Sequence, residues 1–403
     1  MWTIFLSIKY FFSRRKEGMI SIIGFISIIG VALGIAALII VLSIMNGFDQ
    51  EIKKKIIGTY SHVVIMKETG IADYENIIDK IVKLPGVTGA AAFITGQAVI
   101  KSGKNVTGIL LKGIDAGKET AVTEVVSYTG DEASKLDGDT IILGSELMKE
   151  GNINPGDTIQ LIIPYSQFDM EKVKLKVIGS FTSGRYDYDA NIAVVDIKTA
   201  DKIFRKKNTV SGIGLKVQDE MNVNDVKKML IDRFGYSYNI KSWMDLDRNL
   251  ITALALEKKM MFIILALIVM VACFNICGSL IMMIMEKTKD IGILKAIGAS
   301  SMGVSFVFLF QGIFIGLMGV LIGGAAGVFL AERINVVADF LERITGITVF
   351  PDDIYYFTKI PVALSNDDVL TVIVVAFTLV LSAGIYPAWK ASRLDPVEAI
   401  RYE

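Results

Sequence analysis

The sequence predicts a membrane all-α bundle of four transmembrane helices joined to an α+β extracytoplasmic domain that carries a strand-rich inserted subdomain. Three observations lead there. The 403 residues are 52% hydrophobic with a mean hydropathy of +0.52, above the roughly 45–50% apolar content of ordinary soluble domains. Four long stretches are almost free of charge. Between the first and second of them the pattern changes to short alternating segments bounded by turns.

A spanning helix needs about 20 mostly apolar residues. The stretches 20–45, 260–285, 305–331 and 369–386 meet or approach that length, and Pro387 is expected to stop the last. Short flanks set orientation. Lys9, Arg14, Arg15 and Lys16 precede the first span, Lys287, Lys289 and Lys295 follow the second, and Lys390, Arg393 and Arg401 follow the fourth. The link 332–368 is acidic. Both termini and the loop 286–304 are therefore expected in the cytoplasm, with 46–259 and 332–368 outside. The first span is too long for a signal-peptide core of about 7–15 residues and reads as an uncleaved anchor. Residues 1–19, with Trp2, Phe5, Tyr10 and Phe12 beside basic residues, read as an interfacial helix.

In the outside domain, 62–67, 87–93, 98–101, 106–114, 140–143, 158–163, 173–181, 191–195, 212–217 and 237–241 read as strands. Helices are expected at 73–83, with Asp73 as its cap, and at 145–150, 197–204 and 223–234. A further helix from about Asp245 is expected to run into the second span. The strand-rich insertion covers about 115–210. The domain has no cysteine, so its stability must come from core burial.

Several chemistries are excluded. Lys+Arg 42 balances Asp+Glu 42, so the positive field of a nucleic-acid binder is missing. No GxxxxGK[ST] occurs, so ATP hydrolysis belongs elsewhere. His62 has no second histidine as co-ligand, and Cys273 and Cys277 lack further ligands for a metal. Arg185, Asp187 and Asp189 read as a solvated turn. No catalytic, cofactor-binding or metal-binding residue emerges.

Two features remain. Gly30 and Gly34 form a GxxxG step, and Gly312, Gly316, Gly319, Gly323 and Gly327 form a longer stripe, the pattern that lets helices pack closely in lipid. Asn275 and Gln311 are expected to hydrogen-bond between helices. The loop EKTKDIGILKAIGAS, 286–300, reads as a short amphipathic helix ending at Gly298. Its stripe is Ile291, Leu294 and Ile297, and an exposed stripe of that kind invites a protein partner. In the tail, Asp395 is placed to cap a helix starting at Pro396.

The order of one span, a large outside domain and three more spans resembles the type VII ABC-transporter permease superfamily, with its MacB-type, FtsX-type and lipoprotein-releasing (Lol-type) members. KDIGILKAIGAS and YPAWKASRLDPVEAIRYE are similar to superfamily-wide stretches. The stretch 27–58, LPGV at 84–87 and IILGSELM at 141–148 resemble Lol-type membrane subunits. The resemblance implies an inner-membrane subunit that extracts triacylated lipoproteins from the outer leaflet for a soluble periplasmic carrier. It implies a cytosolic ABC ATPase dimer as partner, holding the ATP and Mg, and a second permease subunit in a homo- or heterodimer. The ATPase would dock on Lys287, Asp290, Ile291, Leu294, Lys295 and Ile297. The lipid cavity would involve Leu38, Val41, Leu42, Met45, Met261, Ile264, Leu265 and Ile268. The hairpin Pro164–Met170 is short where the carrier-recruiting subunit has a long one, so carrier recruitment is not carried over. A second reading from the same resemblance is a mechanotransmission permease that exports periplasmic substrates or activates a periplasmic hydrolase.

Overall fold

The computed structural model describes residues 18–102, 105–166, 169–346 and 359–401. The interfacial helix expected over 1–19 lies outside them except for its last two residues. In chain order the longer helices are α1 (Gly18–Thr59), α2 (Tyr74–Ile81), α3 (Ser145–Gly151), α4 (Ile197–Ile203), α5 (Val223–Phe234), α6 (Arg248–Glu286), α7 (Thr288–Ala296), α8 (Ser301–Glu332), α9 (Ile334–Thr345), α10 (Asn366–Ser392) and α11 (Pro396–Arg401). The strands are β1 (Val63–Ile71), β2 (Val87–Ser102), β3 (Asn105–Ile114), β4 (Thr140–Gly144), β5 (Thr158–Pro164), β6 (Met170–Phe181), β7 (Ile192–Asp196), β8 (Val210–Val217) and β9 (Asn239–Ser242). The chain divides into a helical unit and, from residue 51 to 253, a sheet unit.

In the helical unit, α1, α6, α8 and α10 are long and apolar enough to cross a bilayer. Each is longer than its uncharged stretch. α1 runs past Met45 through MNGFDQEIKKK to Thr59: the run holds no proline, and the cost of about 1 kcal/mol for Gly47 does not end the helix. Pro387 does not stop α10, which continues to Ser392. The ring removes one backbone donor, leaving the Ala383 carbonyl without its usual partner, a loss that membrane helices tolerate. Several hydroxyl side chains within the spans bond to their own helix: Ser43 donates to the Ile39 carbonyl at 2.7 Å. A core of Ile35, Ile39, Ile276, Leu280, Ile315 and Val380 joins all four helices. The link 332–368, read as a loop, contains α9.

The sheet unit holds one nine-stranded sheet in the order β3-β7-β4-β6-β5-β2-β8-β1-β9, and β2 also pairs with β3. The strands β2-β3-β7-β4-β6-β5 thus close into a ring. The inserted strands β4–β7 are completed by β2 and β3, which precede them in the chain. β2 is a single 16-residue strand rather than the two expected. It pairs with β8 through its first half and with β3 from Phe93 onward. Gly96 sits just past the change of partner, against the Phe204 ring, where a side chain would not fit. Alternating residues such as Ile65, Leu111, Ile141, Leu161, Val177 and Leu215 fill one continuous core. Asp73 does not cap α2: it adopts the left-handed region at φ 51° and its carboxylate accepts from Asn76 instead. The helix expected from Asp245 is broken. A capping box of Ser242 and Asp245 starts a single turn at 243–246, and α6 begins after Asp247.

Candidate functional site

The glycine stripe of α8 packs on two sides. A Cβ at Gly319, Gly323 or Gly327 would meet α1, at 2.8 Å from Val31, 2.5 Å from the Ala32 carbonyl oxygen and 3.0 Å from the Ala36 Cα. Gly312 faces Leu280 of α6 and Gly384 of α10, and Gly316 lies against Val380 of α10. Gly30 of α1 faces the Asn275 amide of α6, and Gly34 faces Ile268. Among the residues named for the stripe, only backbone-sized spacing admits the neighbours they have. Gln311 is buried and its amide donates to the Met283 sulfur at 3.3 Å, while its Oε1 has no partner.

Between α1, α6 and α10 runs a narrow apolar cleft lined by Val31, Gly34, Ile35, Leu38, Ile268, Val269, Ala272, Cys273, Ala376 and Val380. It unites two of the eight cavity residues read from the sequence, Leu38 and Ile268. Leu42 is half-buried against the same core, Met45 and Met261 are half-buried, and Val41 and Ile264 are exposed. The side chain of Leu265 lies outside the described residues. Sequence reasoning missed the α10 wall, Ala376 and Val380, because small residues in an apolar run carry no sign of what they face. Beyond the cleft α6 is open: Met260, Ile263, Leu267, Met270, Val271 and Phe274 are all exposed. No group of acidic, histidine or cysteine side chains that could hold a metal occurs among the described residues.

The short helix α7 corrects its sequence reading. Ile291, expected on an exposed stripe, is 1% exposed and packs with Ile284, Val304, Phe308, Ala388 and Ala391. Leu294 is half-buried. Lys287 is buried and pairs with Asp290 at 3.1 Å. Lys295 donates to the Ser392 and Leu394 carbonyls, both at 2.7 Å, and so caps the end of α10. The outward surface includes Lys289, Ile293 and Ile297, with Ile297 followed by Gly298 at φ +102°. A period of four rather than three, Lys289–Ile293–Ile297, would have found it. Asp395 caps α11 as expected, accepting from the Val397 amide at 2.8 Å.

In the sheet unit, the loop read as a solvated turn is a buried cluster. Arg185 is 9% exposed and Asp189 is 0% exposed, and only Asp187 faces water. The Arg185 guanidinium reaches Asp187 at 2.6 Å, Asp247 at 3.0 Å and the Thr59 hydroxyl at 3.2 Å, and lies 5.0 Å from the Tyr60 ring centroid. It therefore ties the last residue of α1 to the residue that precedes α6. Burial works against its charge, but Asp187, Tyr60 and Asp247 outweigh that and raise its pKa. Burial also raises the Asp189 carboxyl, against bonds donated by the Ser183 amide and hydroxyl. His62 is buried too. Its Nδ1 accepts from the Val217 amide at 3.2 Å, and burial lowers its pKa. The short turn between β5 and β6 is held by Tyr165, which donates to Glu171 at 3.0 Å beneath the Arg205 guanidinium. Gln167 and Phe168 at its tip lie outside the described residues.

The four apolar helices and the sheet unit fit what sequence comparison returns. Residues 25–233 match the MacB-like periplasmic core domain, and 262–396 match the FtsX-like permease C-terminal domain. Together they define a multi-pass membrane permease of the ABC-transporter type, built around an extracytoplasmic α/β domain. The chain belongs to the family of lipoprotein-releasing system transmembrane proteins. It is 32% identical to LolC of Xylella fastidiosa (strain Temecula1) over 410 residues, covering 100% of this chain and 99% of the relative. It is 32% identical to LolC of Neisseria meningitidis serogroup B, covering 99% and 98%. LolE of Haemophilus influenzae is 27% identical, with 98% of both chains covered.

Proposed function

We propose that this chain is the permease subunit that lifts lipoproteins from the outer leaflet of the inner membrane and hands them to a periplasmic carrier, driven by ATP hydrolysed on a separate subunit. The observation that carries this reading is 32% identity over the full length to a lipoprotein-releasing transmembrane protein. Each acyl CH₂ is worth about 0.8 kcal/mol in the bilayer, so moving triacyl chains requires an apolar surface that replaces lipid. The uncovered face of α6, which borders the narrow cleft, supports such a surface. That face also supports pairing with a second permease subunit. The basic flanks support cytoplasmic termini and a cytoplasmic α7.

The ATPase dimer, with its ATP and Mg, docks on Lys289, Ile293 and Ile297 in this reading. Depleting the protein and fractionating spheroplasts should leave lipoproteins in the inner membrane, and unchanged release overturns the proposal. Ile293→Asp should cut co-purification of the ATPase at least about tenfold, near 1.4 kcal/mol, without loss of membrane insertion. Ile291→Asp should instead destabilise the helical unit. The MacB-like and FtsX-like matches also support a mechanotransmission permease. A pull-down with the full chain that retrieves a periplasmic hydrolase, and no lipoprotein or carrier, favours that alternative.

A further inference from the structure

The helix α9 has no buried residue. Val336, Phe340 and Ile344 recur every four residues and are 65%, 62% and 66% exposed, and Leu341 beside them is 45% exposed. Asn335, Asp339, Glu342 and Arg343 occupy the other side. Scattered apolar residues on a surface need no explanation, but a continuous face on one helix does.

The position of α9 says what covers it. Only Arg333 separates it from α8, so it begins where a membrane span ends. The last turns of α8 expose Phe329 and Leu330, and the Arg333 guanidinium lies 4.9 Å from the Phe329 ring centroid. Exposed apolar surface therefore continues from the span into α9, with a basic residue at the junction, where long cationic side chains reach the headgroups. The orientation of α9 is fixed as well. Asn335 donates to the Ile360 carbonyl at 3.1 Å and accepts from its amide at 2.8 Å. The same segment is bound to α1, the Ala363 amide donating to the Ser43 carbonyl at 2.9 Å, and Pro361 packs on Gly47. Counting four spans, α9 emerges on the same side as residues 46–259.

We infer that α9 lies in the membrane interface, with Val336, Phe340, Leu341 and Ile344 inserted among the acyl chains of the phospholipid leaflet on the sheet-unit side. The inference does not depend on lipoprotein release. Where that function holds, α9 displaces lipid in the leaflet from which the cargo is drawn, next to the segment 360–363 that is bound to α1.

Spin labelling tests it on the full chain carrying Cys273→Ser and Cys277→Ser, in vesicles of phosphatidylethanolamine and phosphatidylglycerol. Labels at Phe340→Cys and Ile344→Cys should collide with oxygen far more than with a water-soluble nickel chelate. Their collision ratio should be at least about tenfold that of Asp339→Cys, as expected for opposite faces of an interfacial helix. Dominant nickel collisions at 340 place the face in water, and low collisions with both place it under protein; either overturns the inference. If the serine background fails to fold, Phe340→benzoylphenylalanine in the chain with its native cysteines gives a second readout. Photo-adducts on lipid are expected, and adducts on protein or none at all overturn it.

Discussion

Two helices of nearly equal apolar character, α6 and α8, end in opposite environments. Each carries a long run without charge, yet most described side chains in the first half of the α6 run face outward while α8 buries a whole face. The difference lies in side-chain size. Where α8 meets α1 and α10 it presents glycine, and backbones approach until a single methyl would collide. Where α6 presents Met260, Leu267, Met270 and Phe274, nothing among the described residues covers it. Hydrophobicity says that a helix enters lipid, and small residues say which face meets protein. The grip on α6 is firmest at Ile276, Leu280 and Met283 near one end, while Asp247, just before the other end, is held by Arg185.

That contrast is open to direct attack. The largest effect is expected at the grip on the start of α6. Arg185→Gln leaves Asp247 and Thr59 without their cation, at a cost of about 3 kcal/mol, the low end for breaking a buried pair because Asp247 keeps some exposure. Denaturation of the full chain, followed through near-ultraviolet dichroism, should show the loss. The double variant Arg185→Gln/Asp247→Asn should be no less stable than the single one, as for partners in one network. Additive losses would separate the two residues.

Next comes the glycine face. Gly323→Val should destabilise the detergent-solubilised protein by about 1–3 kcal/mol, the range for overpacking, because the contact it meets is the α1 backbone. Gly278→Val on α6, where a Cβ finds nothing within 4 Å, should change thermal stability little. Equal losses at both sites would erase the distinction between the helices.

The smallest effect concerns acid. Neither helix carries an acidic or basic side chain through residues 260–285 or 301–331, so mild acidification should spare both. It should reach the sheet unit through His62. The folded pKa of this residue is lowered by burial, so below about pH 6.5 the unfolded chain holds a proton that the folded one does not. Stability contributed by neutral His62 is full above that pH and falls as pH drops toward the folded pKa. The slope is at most about 1.4 kcal/mol per pH unit, and His62→Gln should flatten it in pH-dependent melts.

Much of this was legible in the residues. The absence of charge marks the spans, GxxxG spacing marks the face of α8, and Asp395-Pro396 marks the start of α11. What was hidden depends on partners distant in sequence. Arg185 looks solvated beside Asp187 and Asp189, and nothing local shows that Thr59 and Asp247 close over it. On α7 the charged and apolar residues were visible, but not that Ile291 and Lys295 turn inward to meet α10. Residues 94–97 looked like a break between two strands, whereas one long strand pairs with β8 in its first half and with β3 of the ring in its second.

The fourth span and α7 share one ammonium, that of Lys295, on the Ser392 and Leu394 oxygens. Its stem is a flexible run of four methylenes, so this bond alone would be a tether. Ile291, wedged against Ala388 and Ala391, adds the stiff half of the hinge, so a push on α7 is passed to the fourth span through packed carbon as well as through the ammonium.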